Sequence, residues 1–184
     1  NIRDEINMML EESQNKTRVA MNMAEQYFKR QGDIEVLDEK ATFQAVNQLT
    51  DKTTTVEVPR WKLGNRVLQR DTYFVDNIRD MSVETATIFQ KIPQGYLRIS
   101  TNVTKTNGEH AVGTYIPNSS EVIKTVESGE TYYGRAFVVN AWYITAYMPL
   151  YINGDIRGIL YVGVPEKDLE RLRNNFEQKN YTYD

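Results

Sequence analysis

The stretch GRAFVVNAWYITAYMPLYINGDIRGILYVGV, residues 134–164, decides the fold of this chain. Val, Ile, Tyr, Phe and Trp crowd three runs within it, and this composition predicts strands at 136–139, 142–151 and 156–164. The Asn153-Gly154-Asp155 segment between the last two runs is typical of a hairpin turn. Three consecutive strands joined by short turns predict an antiparallel meander.

The middle strand of this meander carries a row of hydroxyl groups. Side chains alternate along a strand, so Tyr143, Thr145 and Tyr147 point to one face and Trp142 to the other. The row could line a pocket for a polar ligand, or the tyrosines could simply cover the sheet and reach water. Trp142 could likewise fill the core or form an aromatic wall against a ligand.

Composition narrows the class of protein. The chain has 184 residues, a net charge of -3, one His and no Cys, which excludes disulfides, thiolate metal sites and a Cys nucleophile. The net charge gives no strong electrostatic pull toward nucleic acid, and we expect no nucleic-acid partner. No run reaches the length of a membrane span, and no signal peptide is visible. The first residue is Asn rather than Met, so we expect a piece of a longer protein.

A long helix is predicted over residues 1–31, where Gly32-Asp33 ends it. Its apolar and small residues recur at spacings of four and three, a heptad pattern. Such a seam could lie along the chain's own domain, or pair with a second copy to form a homodimer. The seam consists of Ile6, Leu10, Ser13, Thr17, Ala20, Ala24 and Tyr27.

The remaining elements are read from local patterns. A short helix is predicted at 33–45, strands at 48–58, 83–90 and 95–102, an extended piece at 110–115, and helices at 71–78, 119–127 and 166–178. Ser119 is the expected cap of the helix at 119–127, and 59–64 is expected to be a loop or a strand end.

These elements predict an α+β fold, a PAS-like five-stranded antiparallel sheet with the long helix packed behind it. We expect a helical region at 1–45, a ligand-binding domain at 46–165, and a C-terminal helix and tail at 166–184.

Eight stretches, in matching order and spacing, resemble the extracytoplasmic Cache family in its single-Cache, type 3-like form. They are VEVPRWKLG (56–64), FVDNI (74–78), TATIFQ (85–90), LRISTNV (97–103), NGEHAVGTYI (107–116), GETYYGRAFV (129–138), WYITAY (142–147) and GILYVGV (158–164). The chain departs from the family pattern at His110, where Arg is expected, at Met148, where an acidic residue is common, and in lacking a glycine before TATIFQ.

The resemblance implies the periplasmic sensor module of a bacterial inner-membrane receptor. Such modules precede chemoreceptor, histidine kinase or cyclic-di-GMP output domains, and their ligands are small organic anions, amino acids and similar metabolites. The full-length protein is then expected to be membrane-anchored.

Arg98 is the first candidate for binding such a ligand, because a guanidinium fits a carboxylate with two parallel hydrogen bonds. On an apolar strand it needs a partner, which could be a ligand anion or an internal carboxylate such as Asp76 or Glu84. Ser100 is expected to share its strand face. His110 could be structural or exposed, or a ligand donor that makes binding depend on pH.

Tyr133 and Arg135 are expected to share a face of the first meander strand, and Phe89 is expected in the core. The complete set of predicted ligand-binding residues is Arg98, Ser100, His110, Tyr133, Arg135, Trp142, Tyr143, Thr145 and Tyr147.

Three functions remain open at this stage: a ligand sensor, a ligand-free structural or protein-interaction domain, and an enzyme. An enzyme is disfavoured, because the chain has no Gly-x-Ser-x-Gly elbow and no metal-ligand spacing. We therefore expect no catalytic residue, metal or cofactor.

Overall fold

The computed structural model describes residues 1–82 and 85–167. In chain order the elements are α1 (Ile2–Arg30), β1 (Glu35–Asn47), β2 (Thr53–Leu63), β3 (Arg66–Val67), α2 (Tyr73–Met81), β4 (Thr85–Ile92), β5 (Gly95–Thr101), β6 (Thr114–Pro117), α3 (Glu121–Glu127), β7 (Tyr132–Val138), β8 (Ala141–Ile152) and β9 (Asp155–Pro165).

All strands join one sheet in the order β3-β2-β1-β6-β5-β4-β9-β8-β7. Neighbouring strands run antiparallel except β1 and β6, which pair in parallel through Val46–Thr114 and Asn47–Tyr115. The predicted α+β class and the meander are confirmed, but the sheet has nine strands, and the prediction of five is wrong.

The sequence-based prediction departs most from the structure at residues 33–45, where strand β1 is found and a short helix was predicted. Ala41, Phe43 and Ala45 are buried while their neighbours Thr42 and Gln44 are exposed, which is the period of two of a half-buried strand. Glu, Lys, Ala and Gln favour helices in isolation, but pairing with the Thr- and Val-rich β2 overrides that weak preference.

Strand β2 begins and ends later than predicted. Residues 48–52 form the turn after β1, where the Asn47 side chain accepts hydrogen bonds from the backbone N–H groups of Leu49 and Thr50 at 2.9 and 3.3 Å. The strand then runs on to Leu63, through residues predicted as a loop or a strand end. This hairpin adds β1 to the sheet, a strand that was predicted as a helix.

The helices lie close to where the sequence places them. In α2, Phe74 and Ile78 are buried as predicted. Helix α3 is capped by Ser120, whose hydroxyl accepts a hydrogen bond from the Val122 N–H at 3.2 Å, so the prediction of Ser119 as the cap is wrong by one position. The predicted helix at 166–178 lies outside the described residues from 168 onward, and the division into three regions stays a prediction.

Helix α1 packs on the sheet only through its C-terminal half. Thr17, Ala20, Met21, Ala24 and Phe28 are buried, whereas no residue in 1–16 is. Three of these five belong to the predicted seam, which therefore faces the chain's own domain over this half. Among the described residues, no helix is both long and apolar enough to cross a membrane.

The two faces of the sheet carry separate apolar clusters. The first core lies under α1 and α2 and includes Met21, Phe74, Ile88, Ala146 and Leu160. The second core lies under α3 and includes Phe89, Val122, Tyr147, Ile159 and Tyr161. Strands β4, β8 and β9 contribute alternate residues to each core, so they connect the face under α1 with the face under α3.

Candidate functional site

A fully buried arginine lies on the α3 side of the sheet. Arg98 on β5 is 0% exposed, and its Nη1 donates hydrogen bonds to Gln48 Oε1 at 2.7 Å and Thr114 Oγ1 at 3.1 Å. Its Nε and Nη2 are buried and have no hydrogen-bond partner among the described residues. Burial lowers the pKa of Arg98 from its usual value, because removal from water disfavours the charged form.

Arg98 has no ionic partner within residues 1–82 and 85–167. The buried residues of this part of the chain include no Asp or Glu, and Arg98 forms no salt bridge there. Asp76, one of the two predicted internal partners, accepts a hydrogen bond from Asn102 and pairs with Arg79 instead. Glu84, the other, lies outside the described residues.

Aromatic rings surround the guanidinium. Its Cζ lies 4.9 Å from the centre of the Phe89 ring. The Tyr147 ring centre lies 6.2 Å from that of Phe89 and 5.0 Å from that of Tyr161. Tyr143, Tyr147 and Tyr161 interact electrostatically with Arg98. We call these five residues, Arg98, Phe89, Tyr143, Tyr147 and Tyr161, the Arg98 site.

Tyr147 and Tyr161 of the Arg98 site stay neutral near physiological pH. Burial raises the pKa of both Tyr147 and Tyr161, because a phenolate loses more hydration than a phenol does. The Thr85 hydroxyl donates to the Gly163 carbonyl at 2.7 Å and lies 2.9 Å from the Tyr161 hydroxyl. Since Thr85 has one proton, Tyr161 donates to Thr85 and keeps its own lone pairs as acceptors.

The predicted hydroxyl row is confirmed as a single face. Tyr143, Thr145 and Tyr147 are all buried, and the two tyrosines belong to the second core. Thr145 uses its proton in a hydrogen bond to the Gly134 carbonyl at 2.7 Å. Tyr161 stands directly opposite Tyr147 on β9 and extends the row.

Ser100 does not share a face with Arg98, and that prediction is wrong. The register of β4 and β5 shifts so that Phe89 stands opposite Arg98 while Ile88 stands opposite Ser100. Because Ile88 and Phe89 point to different cores, this bulge turns Ser100 toward the first core. Its hydroxyl donates to the Asp71 carbonyl just before α2.

Four predicted residues lie away from the Arg98 site. His110 is exposed and forms an isolated β-bridge with Thr104. Tyr133 faces α1, with the Arg18 Cζ 3.9 Å from its ring centre. Arg135 bonds to Glu166 at 2.6 and 3.1 Å and stacks 4.0 Å from the centre of the Trp142 ring. Trp142 is 45% exposed, so it does not fill the core.

A second concave surface lies on the opposite face of the sheet. It is a groove of about 710 Å³ between the C-terminal half of α1 and β8. Tyr133 is the predicted binding residue that lines it, together with Glu25, Asp33 and Met148 among others. The structure therefore separates Tyr133 from the Arg98 site.

Sequence reasoning missed Gln48, Thr114 and Tyr161. Gln48 and Thr114 are polar residues at strand ends, and nothing in their local pattern marks them, because Arg98 reaches them only through the order of the strands. Tyr161 did carry a signal: it alternates with Leu160 and Val162 in an apolar strand, as Tyr147 does in β8.

Comparison with protein families gives a match over nearly the whole chain. Residues 1–181 match the Cache 3/Cache 2 fusion domain. Neither the curated proteins nor the solved structures include a match to the chain. The match spans α1 and the entire sheet, so the chain belongs to the Cache 3/Cache 2 fusion domain family and is a Cache-type extracytoplasmic sensor domain.

Proposed function

We propose that this Cache domain senses a small organic anion, which binds Arg98 beneath α3. One observation carries the proposal: a guanidinium with no exposure keeps Nε and Nη2 without a partner. A buried ion left unpaired costs several kcal/mol, and a bound anion would offset that cost. Organic anions and amino acids are both candidate ligands.

The position of the Arg98 site supports a signalling role. Tyr147 and Tyr161 lie on the ligand side of β8 and β9, while Ala146 and Leu160 of the same strands lie in the first core with Met21 of α1. A ligand that moves the two tyrosines would shift these strands against α1. It can bias the equilibrium between two states only by its difference in affinity for them.

The receptor context is part of the same proposal. We propose that the domain is the periplasmic part of a membrane-anchored chemoreceptor, sensor histidine kinase or diguanylate cyclase. Displacement of α1 relative to the C-terminal segment then carries the signal inward. We propose no catalytic role for the domain.

A ligand-free structural or protein-interaction domain is the second candidate. The close approach of Tyr147 and Tyr161, with ring centres 5.0 Å apart, favours it, because rings at this distance stabilise the core by packing alone. In that case the tyrosine row is packing and Arg98 has no external partner.

A binding screen separates the two candidates. Organic acids, amino acids and amines are tested by thermal shift and calorimetry on the wild type and on Arg98→Ala, with the fold checked by circular dichroism. We expect at least one anion to raise the melting midpoint of the wild type by mass action and to lose this effect in the variant.

The matched control is Arg157→Ala, at an arginine on β9 whose side chain is 55% exposed. It should bind as the wild type does. If no compound shifts the midpoint, or if Arg98→Ala keeps full affinity, the organic-anion proposal is wrong.

We also propose that α1 pairs with a second copy of the chain. Part of the predicted seam packs against the sheet of the same chain, so a second copy would pack against the solvent-exposed face of α1. On that face Met8, Val19 and Met23 are 59, 58 and 42% exposed. We expect weak dimerisation that Val19→Glu abolishes, measured by analytical ultracentrifugation. A monomer at high concentration, or a dimer unaffected by Val19→Glu, contradicts this.

A further inference from the structure

One outer edge of the sheet contains an open stretch. On this side the strand order ends in β2 and the short strand β3, which pairs with β2 at Lys62 and Leu63. Within the part of the chain that the structure describes, residues 53–57 of β2 therefore pair with β1 on one side and with no strand on the other. We call residues 53–57 the β2 edge.

The turn beside the β2 edge shows which of its backbone groups point outward. The Asn47 N–H donates to the Lys52 carbonyl at 2.9 Å, so Lys52 faces β1. Along an antiparallel pair, residues alternate between bonding to the partner strand and facing away from it. Thr53, Thr55 and Glu57 therefore direct their N–H and C=O groups away from β1.

Further along β2, the outward backbone groups are already bonded. The Trp61 N–H donates to Gln69 Oε1 at 2.9 Å, and the Trp61 carbonyl accepts from the Leu68 N–H at 2.8 Å. The Pro59 carbonyl accepts from Gln69 Nε2 at 3.2 Å. These bonds agree with the alternation, since Pro59 and Trp61 are also odd-numbered residues.

The opposite edge of the sheet, β7, is partly covered by side chains. The Tyr132 hydroxyl donates to the Arg135 carbonyl at 2.6 Å, and Gln48 Nε2 donates to the Phe137 carbonyl at 3.4 Å. By contrast, no described side chain bonds to the outward backbone groups of the β2 edge. The β2 edge is thus open where comparable stretches are covered.

The β2 edge is also regular and has defined ends. Its pairing with β1 is in continuous register, because the shift in that pair lies between Val36 and Lys40. Asp51, with a φ of 61°, lies in the turn before it, and Pro59, which has no N–H, ends it. A regular, exposed edge of this kind is a template for pairing with another strand.

Charge and backbone chemistry select one register for pairing with an identical edge. With a two-fold axis at Thr55, Thr55 lies opposite its own copy and Thr53 lies opposite Glu57, so all outward groups are paired and each carboxylate meets a hydroxyl. A shift in one direction would place Glu57 opposite Asp51, which has the same charge. A shift in the other would place Thr53 opposite Pro59, which cannot donate.

From these observations we infer that the chain has a second self-association surface, in which the β2 edges of two copies pair antiparallel about a two-fold axis at Thr55. Such an interface uses the same patch on both copies and joins the two sheets edge to edge. The inference is independent of the Arg98 site and of the pairing proposed for α1. Because the paired stretch is short, we expect a weak dimer, with a dissociation constant on the order of 0.1 mM.

Disulfide trapping tests the register. The chain has no Cys, so Thr55→Cys adds a single thiol, and Val19→Glu in the same protein removes the pairing proposed for α1. In paired β2 edges the two Cα atoms of residue 55 lie about 5.5 Å apart, within the range of a disulfide, and we expect a covalent dimer on oxidation with copper phenanthroline. Thr53→Cys is the matched control and should not crosslink, because its two copies are about 13 Å apart along the strands.

Opposite charges at one position test the contact between Thr53 and Glu57. In the Val19→Glu background, Thr53→Lys places an ammonium group opposite Glu57 of the other copy, whereas Thr53→Glu places a second carboxylate there. We expect the dissociation constant, measured by analytical ultracentrifugation, to fall about three- to tenfold for Thr53→Lys and to rise by a similar factor for Thr53→Glu. Ser119→Lys, at an exposed position before α3, is the control and should leave it unchanged.

Each contrary result overturns the inference. A monomer at all concentrations up to about 1 mM, or no crosslink from Thr55→Cys, shows that the β2 edge does not pair. Equal crosslinking of Thr53→Cys and Thr55→Cys, or oligomers larger than a dimer, shows that it pairs without the two-fold register. Equal dissociation constants for Thr53→Lys and Thr53→Glu contradict the predicted contact. None of these results bears on ligand binding at Arg98.

Discussion

Arg98 shows how one side chain can oppose the stability of the domain that contains it. Its guanidinium is removed from water, shares two hydrogen bonds through Nη1, and has no carboxylate within the described residues. Burial penalises the charged form, and two hydrogen bonds to neutral groups offset only part of that penalty. Without ligand, the buried Arg98 therefore lowers the free energy of unfolding of the domain.

Replacing Arg98 by an apolar residue of similar length should remove this cost. We expect Arg98→Met to raise the free energy of unfolding of the ligand-free domain by about 1–4 kcal/mol, because apolar replacements of buried ionic groups are often stabilising by this amount. Urea titration followed by circular dichroism measures it. The exposed Arg157→Met is the control and should change stability by less than about 0.5 kcal/mol. A clear loss of stability in Arg98→Met would show that Arg98 is structurally paired.

Individual residues were predictable where strand alternation is regular. It placed Tyr143, Thr145 and Tyr147 on one face, and the structure agrees. It failed at Ser100, because a bulge adds a residue and reverses the face, and no local signal marks the bulge. It could not find Gln48, since that contact depends on which strands are neighbours.

At the scale of elements, helix α3 is short and depends on its ends. Its seven residues cover the second core with Val122, Ile123 and Val126. Glu127 at its C-terminus accepts hydrogen bonds from the Tyr96 hydroxyl at 3.1 Å and from Lys91 Nζ at 3.3 Å. Ser120 holds the other end through its side-chain cap. The helix that covers the second core is thus attached at both ends.

Removal of the cap should loosen this cover. We expect Ser120→Ala to lower the free energy of unfolding by about 1 kcal/mol, because an N–H of the first turn loses its acceptor. Ser119→Ala, one position earlier and exposed, should be nearly neutral. Thermal unfolding of the two variants side by side checks this, and equal losses would place the cap elsewhere.

Elements were predictable where composition and tertiary context agree. Helices α1, α2 and α3 and the β7–β9 meander follow from local patterns. Strand β1 did not, because its Glu, Lys and Ala residues favour a helix and only the partner strand β2 makes an extended conformation stable. That error explains part of the undercount of strands, since β1 joins β2 to the rest of the sheet and without it the strand predicted at 48–58 had no place in the five-stranded sheet.

For the whole molecule, the tyrosines set the response to alkaline pH. Burial raises the pKa of Tyr96, Tyr147 and Tyr161 above the usual value of 10.0. In the unfolded chain these groups would release their protons near that value, whereas in the fold they keep them. Their contribution is therefore complete below the unfolded pKa and is lost as the pH rises above it.

We accordingly expect the urea midpoint to begin to fall at about pH 10, where the unfolded tyrosines release their protons, and to keep falling as the pH rises toward the raised pKa values of the fold. Tyr161→Phe should lessen the fall, because one of the groups whose pKa the fold raises is removed. Tyr151→Phe, at a side chain that is 55% exposed, should leave the pH dependence unchanged. A fall of the same size in Tyr161→Phe as in the wild type would contradict the assignment.

The parallel pairing of β1 with β6 also constrains how the chain can fold. Among the described residues, the strand pairs that join the β3-β2-β1 edge to the neighbouring strand are Val46–Thr114 and Asn47–Tyr115, and these partners are far apart in the chain. The β1–β2 hairpin is synthesised early, yet its inner edge has no neighbour until β6 has been made. Contacts between distant residues form late because closing a long loop costs entropy. During synthesis and export, the hairpin must therefore wait with an open strand edge, which makes this early segment the part of the domain most exposed to misassembly.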